Sequence, residues 1–179
     1  MIMTMRLQPI TKPNSWLIRL AYFLSRRTFG KVLSAFQVIY ARSTPILRVM
    51  LKIIQTEKKL SLDTPTKLLI KSFVSNLNDC PFCSNTNEYL AIKGNINKQK
   101  INSLLNYRES DLFTAREKAM MEYLESVTYT KNASDDCYQQ LQQYFNDKEI
   151  VEVTWLCAVE NYFNMQAKPL GLPSDALNA

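Results

Sequence analysis

The chain has 179 residues, of which 46% are hydrophobic and 21% charged, with three glycines, seven prolines and no histidine. That length buries one good core, and so little glycine and proline argues against a loop-rich or all-β fold. Four cysteines in a chain this long do not make a disulfide scaffold and point to a reducing compartment, so a cytoplasmic location is expected.

The net charge of +6 is unevenly spread. Residues 1–60 carry 11 Lys/Arg against one acid, Glu57, a balance of +10; the remainder carries 11 basic and 15 acidic residues. A basic half can serve nucleic acid or an anionic membrane surface. No aromatic–basic interleaving or nucleic-acid motif accompanies it, so a solvated or subunit-contacting helical face is the preferred reading and no nucleic acid is expected. The most apolar stretch, Trp16 to Leu24, is broken by Arg19 and followed by Arg26 and Arg27. It falls far short of the ~20 apolar residues of a membrane span and lacks the long apolar run and cleavage site of a signal peptide, so membrane association is not expected.

In chain order the pattern is helical throughout. Residues 1–13 read as irregular. A helix is expected over Trp16–Thr28, broken by Gly30, then a short helix or turn over Val32–Tyr40. Thr44 is expected to cap a helix with Pro45 at N1, running to about Lys59. Asp63 and Pro65 start the next, where Ile70, Phe73, Val74 and Leu77 share one face. Asn78 and Asp79 read as N-caps of a further helix through Pro81, ending at Gly94. A short helix covers Lys98–Leu105. Thr114-Ala115-Arg116-Glu117 is a capping box, with Met120, Tyr123, Leu124 and Val127 behind it. Ser134 starts a helix to about Phe145, and Asp147 a long one to about Ala167. No period-2 strand, internal repeat or dividing linker is found. A basic arm over residues 1–30 and one helical domain over 31–179 are expected.

Cys80-Pro81-Phe82-Cys83 stands out at the junction of two helices. A structural zinc site needs four protein ligands; one CxxC without a second pair or any histidine does not supply them, so no metal is expected. Two cysteines three apart at a helix start suit dithiol/disulfide chemistry, because the sulfurs close a bond with little backbone movement and the helix N-terminus favours a thiolate. Cys157, among Val153, Trp155, Leu156 and Val159, reads as a small buried hydrophobe. Cys137 reads as inert, its thiolate disfavoured by Asp135 and Asp136. Asn161 and Asn164 form a polar pair on the last helix that either caps a buried network or lines a pocket near the cysteines.

Residues 62–94, LDTPTKLLIKSFVSNLNDCPFCSNTNEYLAIKG, resemble the core motif of the carboxymuconolactone decarboxylase/AhpD-like alkylhydroperoxidase family. FTAREKAMMEYLESVT (113–128) and FNDKEIVEVTWLCAVENYFNM (145–165) are similar to later helices of that family, and the resemblance spans about residues 30–172. It implies an all-α AhpD-like fold, a homo-oligomer (trimer or hexamer), and peroxide reduction without a cofactor. It further implies Cys83 as the attacking thiol, Cys80 as the resolving one, a hydroperoxide substrate and an external dithiol reductant. By position alone Cys80 is nearer the helix terminus and gains more from its dipole.

The chain departs from the pattern at the proton relay. Where redox members carry a histidine four residues after the second cysteine, Asn87 stands here; where they carry a glutamate twelve residues before the first, Leu68 stands. Phe82 occupies a position that can hold histidine. Asn87 hydrogen-bonds but takes no proton, and Glu88 lies about 100° further round the helix. Two alternatives remain beside the peroxidase: a non-catalytic helical oligomer with vestigial cysteines, and a decarboxylase-type enzyme, disfavoured because no titratable acid–base pair is visible near the motif.

Overall fold

A computed structural model describes residues 5–177. Its element order is α1 (Trp16–Phe29), a π-helical turn (Phe36–Tyr40), α2 (Thr44–Glu57), α3 (Thr64–Leu77), α4 (Pro81–Lys93), α5 (Lys98–Asn102), a 3-10 turn (Leu104–Asn106), α6 (Ala115–Thr130), α7 (Asp135–Gln142) and α8 (Asp147–Ala167). No strand occurs among the described residues, and the all-α expectation is borne out. Residues 1–4 of the stretch read as irregular lie outside the described residues. No helix is long and apolar enough to cross a membrane among them.

Local chemistry sets most helix starts. Asp63 accepts from the Thr66 N–H at 2.7 Å, with Pro65 in the first turn of α3. The capping boxes Thr114/Glu117 and Asn146/Glu149 are both closed. Gly30 ends α1 in the left-handed region, φ 75°, where a side chain would cost most. Two boundaries differ from expectation. Ser43, not Thr44, is the N-cap of α2, without a side-chain cap bond. Helix α7 stops at Gln142, because a tight turn closed by Tyr144 and Phe145 N–H groups on the Leu141 carbonyl leads into α8.

Helix α3 is the axle. Its Ile70, Phe73 and Val74 are fully buried, each contributing roughly 1.5–3 kcal/mol of transfer free energy. They join Leu104, Met120, Met121, Leu124, Val153 and Leu156 in the main core. Phe73 meets Tyr107 edge-on at 5.3 Å, a favoured aromatic geometry. Glu152 on α8 ties the α2–α3 connection down: it is 6% exposed and accepts from Ser61 N at 2.9 Å, Ser61 Oγ at 3.0 Å and Leu62 N at 3.0 Å.

A second core forms on the other side of the cysteines. Ile18, Ala21 and Tyr22 of α1, Val38, Ile39 and Tyr40 of the π-helical turn, and Leu47 and Met50 of α2 pack with Cys80, Cys83, Ala167 and Leu172. The basic N-terminal third thus supplies the wall in front of the CxxC pair. The tail returns to the same place: Asn85 donates to the Leu177 carbonyl at 3.1 Å and accepts from the Leu177 N–H at 2.9 Å.

Candidate functional site

Helix α3 ends in a Schellman motif that delivers the first cysteine. The Cys80 N–H bonds to the Ser75 carbonyl at 3.2 Å and the Asp79 N–H to the Asn76 carbonyl at 3.0 Å. Asp79 sits at φ 46°, the left-handed region that aspartate tolerates better than most residues. This corrects the expectation that Asn78 and Asp79 cap α4. Asn78 is the C-cap of α3, its side chain donating to the Val74 carbonyl and to Asn161 Oδ1. The N-cap of α4 is Cys80 itself, whose sulfur accepts from the Cys83 N–H at 3.4 Å. One helix end and the next helix start share a single residue.

Gly94 is corrected in the same way. It is the C-cap of α4 at φ −80°, and Asn95 at φ 65° takes the left-handed position beyond it. Glycine at 94 makes room for a neighbour: a Cβ there would lie 2.5 Å from Leu68 Cδ1, whose side chain would have to shift. Leu68 therefore packs on the far end of α4 and the main core.

Cys80 and Cys83 are joined as a disulfide, with Cα atoms 5.3 Å apart. Both sulfurs are nearly closed to solvent, at 1% and 4% residue exposure. Access distinguishes them. Cys83 lines a cavity of about 190 Å³ bounded also by Leu33, Phe36, Ile39, Met50, Phe82 and Phe163, whereas Cys80 does not. The wall is mostly apolar and aromatic, with a polar patch from Glu57, Lys71, Asn87, Glu160 and Gln166.

Apart from Gln166, that patch is one connected network. Asn87, one turn after Cys83 and 5% exposed, donates to the Lys71 carbonyl at 3.2 Å and to Glu160 Oε1 at 3.0 Å. Asn164 donates to the same Glu160 oxygen at 2.8 Å. Lys71 pairs with Glu57 at 3.2 Å. Burial pushes the Glu160 carboxyl well above the ordinary carboxylate range, against the opposing pull of the Lys71 ammonium and the two amides. Burial likewise raises the Tyr40 phenol, with Tyr162 and Glu160 adding to it. The site so holds a buried carboxyl group, an ion pair and a sulfur pair around one apolar space.

Of the residues singled out from the sequence, Cys83, Phe82 and Asn87 share this cavity. Glu88 does not; it faces a separate groove with Asn76, Ser84 and Asn102, as its rotation round α4 dictates. The expectation that no titratable pair lies near the motif is overturned by Lys71–Glu57 and Glu160. The signal of Glu160 was present in α8: Val153, Leu156, Glu160 and Asn164 lie on one buried face, so a carboxylate and an amide continue an apolar stripe. Asn164 belongs to the buried network, while Asn161 bonds to Asn78 and the Cys157 carbonyl on another face. Cys157 is fully buried. Burial raises the Cys137 thiol, followed by the charge of Glu122 rather than Asp135 or Asp136. No cluster of metal-ligating side chains occurs among the described residues.

No family model matches the chain. Among curated proteins it is 26% identical over 127 residues to the uncharacterised protein YdfG of Bacillus subtilis, covering 70% of this chain and 86% of that one. It is 24% identical over 170 residues to the uncharacterised protein YnjA of Escherichia coli, covering 94% and 90%. Among solved structures it is similar to an Agrobacterium tumefaciens protein proposed to be the antioxidant defence protein AhpD. That match has 25% identity and TM-score 0.74, covering 78% of this chain and 97% of the other. A peroxidase-related protein from Silicibacter superposes with TM-score 0.84 at 18% identity over 98% and 93% of the two chains. A cysteine-to-alanine variant of the debrominase Bmp8, in complex with 2,3,4-tribromopyrrole, gives TM-score 0.83 at 12% identity over 98% and 95%. The resemblance read from residues 62–94 is borne out: the neighbours are AhpD-like and peroxidase-related proteins.

Proposed function

Starting from an AhpD-like fold with a cysteine pair at the wall of an apolar cavity, we propose that this chain is a thiol–disulfide oxidoreductase that reduces organic hydroperoxides. The observation that carries the reading is that Cys83, and not Cys80, lines the cavity. Access thus favours Cys83 as the attacking thiol, and the buried, adjacent Cys80 as the resolving one, over the order that the helix dipole alone would set.

The Cys83 thiolate attacks the terminal oxygen of R–O–OH. The O–O bond breaks, the sulfur becomes a sulfenic acid, and the alkoxide leaves as ROH after gaining a proton. The Cys80 thiol then condenses with the sulfenic acid, releasing water and forming the disulfide. An external dithiol restores both thiols by exchange. The apolar wall suits a hydrocarbon R group better than hydrogen peroxide, because burying that group supplies binding free energy. No cofactor enters the cycle.

The test is oxidation of the reduced protein by cumene hydroperoxide, followed by peptide mapping. One alcohol should form per Cys80–Cys83 disulfide, and Cys83→Ser should abolish it. Both motif cysteines remaining alkylatable after oxidation would refute the redox reading in favour of a vestigial pair. We also infer a homo-oligomer. The outer face of α1 exposes Trp16 (75%), Leu20 (45%), Phe23 (58%) and Leu24 (48%) beside Arg19 and Arg27, an apolar stripe suited to a neighbouring subunit.

A further inference from the structure

The relay histidine and glutamate of redox relatives are replaced here by Asn87 and Leu68, yet the cavity holds another proton-bearing group. Glu160 is 2% exposed and lines the same cavity as Cys83. Asn87, one turn from Cys83 on α4, and Asn164 both donate to its Oε1. Its Oε2 makes no hydrogen bond among the described residues. Gln166 Oε1, on the same wall, is a buried acceptor without a partner there. A buried acceptor left so calls for a donor, and the O–H of a hydroperoxide or of the product alcohol is one.

We propose that Glu160 is the proton carrier of Cys83, standing in for the missing relay. Its carboxylate takes the Cys83 thiol proton, giving thiolate and carboxylic acid. As the thiolate attacks R–O–OH, the acid passes that proton to the departing alkoxide, so the products are sulfenic acid, ROH and the Glu160 carboxylate. The sum is thiol plus hydroperoxide to sulfenic acid plus alcohol, and the carboxylate is ready for the next thiol proton after the disulfide is reduced. The leaving-group step rests on the hydroperoxide reading above; the pairing of Glu160 with Cys83 does not.

Other charges facing Glu160 do not replace it. Lys71 on α3 and Glu57 on α2 are held by each other at 3.2 Å, and Tyr40 on the π-helical turn is a buried phenol raised above its ordinary value. Burial raises the Glu160 carboxyl above the ordinary carboxylate range, the direction in which burial tunes a glutamate for proton transfer.

Glu160→Gln keeps the shape and the oxygen that accepts from Asn87 and Asn164, but it cannot carry a proton. Per Cys83 thiolate, counted by the alkylation below, its rate with cumene hydroperoxide should fall about a hundredfold, the low end for general acid–base contributions. With peracetic acid, whose leaving carboxylate needs no proton, the rate per thiolate should fall less than about twofold. Equal losses on both would mean that Glu160 only shapes the cavity, and would overturn the proposal. Independently of any peroxide, Cys83 alkylation by iodoacetamide from about pH 5 to 9 should show two inflections in the wild type and one in the variant, as coupled groups do. Superimposable profiles would also overturn it. Wild type inert to both peroxides, but with the two-inflection profile, would sink the hydroperoxide reading and leave the proton carrier standing. Glu160→Asp should recover most of the cumene hydroperoxide rate that Glu160→Gln loses; a variant behaving like Glu160→Gln would overturn the proposal.

Discussion

Replacing Glu152 by glutamine should reveal how much one buried carboxylate contributes to holding α8 on the α2–α3 connection. Its oxygens accept from Ser61 N, Ser61 Oγ and Leu62 N at 2.9–3.0 Å. Glutamine can keep its oxygen on Ser61 Oγ and Leu62 N, but it then turns an NH₂ toward the Ser61 N–H. One charge-assisted bond, worth about 1.5–3 kcal/mol, is lost and two others weaken to neutral strength, about 1 kcal/mol each. A total near 3 kcal/mol corresponds to a melting temperature lower by about 6–12 °C in a chain of this size. Burial pushes the Glu152 carboxyl up, but the Ser61 and Leu62 N–H groups, the Ser61 hydroxyl and Lys148 outweigh it, so the folded value lies below the ordinary one. A depressed carboxylate stabilises the fold above its unfolded pKa of about 4.3 and loses that contribution as pH falls through the folded value. The gap between wild type and Glu152→Gln, followed by differential scanning calorimetry, should therefore be full at pH 7 and shrink below about pH 4. A gap under about 1 °C at pH 7, or one equally large at pH 3.5, would refute the assignment.

Further outcomes are expected at the cysteines and on α1. Sub-millimolar peroxide should join Cys80 to Cys83 and leave Cys137 and Cys157 free on peptide mapping; a bridge involving Cys157 would contradict its burial. Asn87→His, placing an imidazole beside Glu160, should raise the rate with cumene hydroperoxide at least about tenfold, and an unchanged rate would show that the relay is not limiting. Leu68→Glu should instead lower the melting temperature, because it sets a carboxylate where Leu68 meets Gly94 and the main core. Light scattering at micromolar protein should give a multiple of 20.7 kDa, and Phe23→Glu should lower it; a monomeric wild type would refute the subunit contact.

The helices were legible because their signals are local. Asp63-Thr64-Pro65, the Thr114/Glu117 box and the stripe of Ile70, Phe73 and Val74 each act within one or two turns, and each element formed where its chemistry lies. The helix junction was misread by one residue, because serine and asparagine analogy favours Asn78 as a cap. The Schellman motif instead consumes Asn78 and Asp79 to finish α3. The charged part of the site was missed for another reason. Glu57, Lys71 and Glu160 come from three helices and meet only after packing, so no spacing in the chain announces them. Glu160 alone left a trace, as a carboxylate on the apolar face of α8.

Because Cys80 is both a reactive sulfur and the cap of its own helix, cysteine-to-alanine scanning gives a compound answer here. Alanine removes the acceptor for the Cys83 N–H, a weaker cap than the oxygen of serine or aspartate, and loosens the turn that positions the very thiol under study. A slow Cys80→Ala protein would then look like one lacking a resolving thiol even if resolution were dispensable. Serine retains an oxygen acceptor at the cap while abolishing disulfide chemistry. The difference between the two variants, measured on Cys83 oxidation before any resolving step, separates helix nucleation from electron transfer at this position.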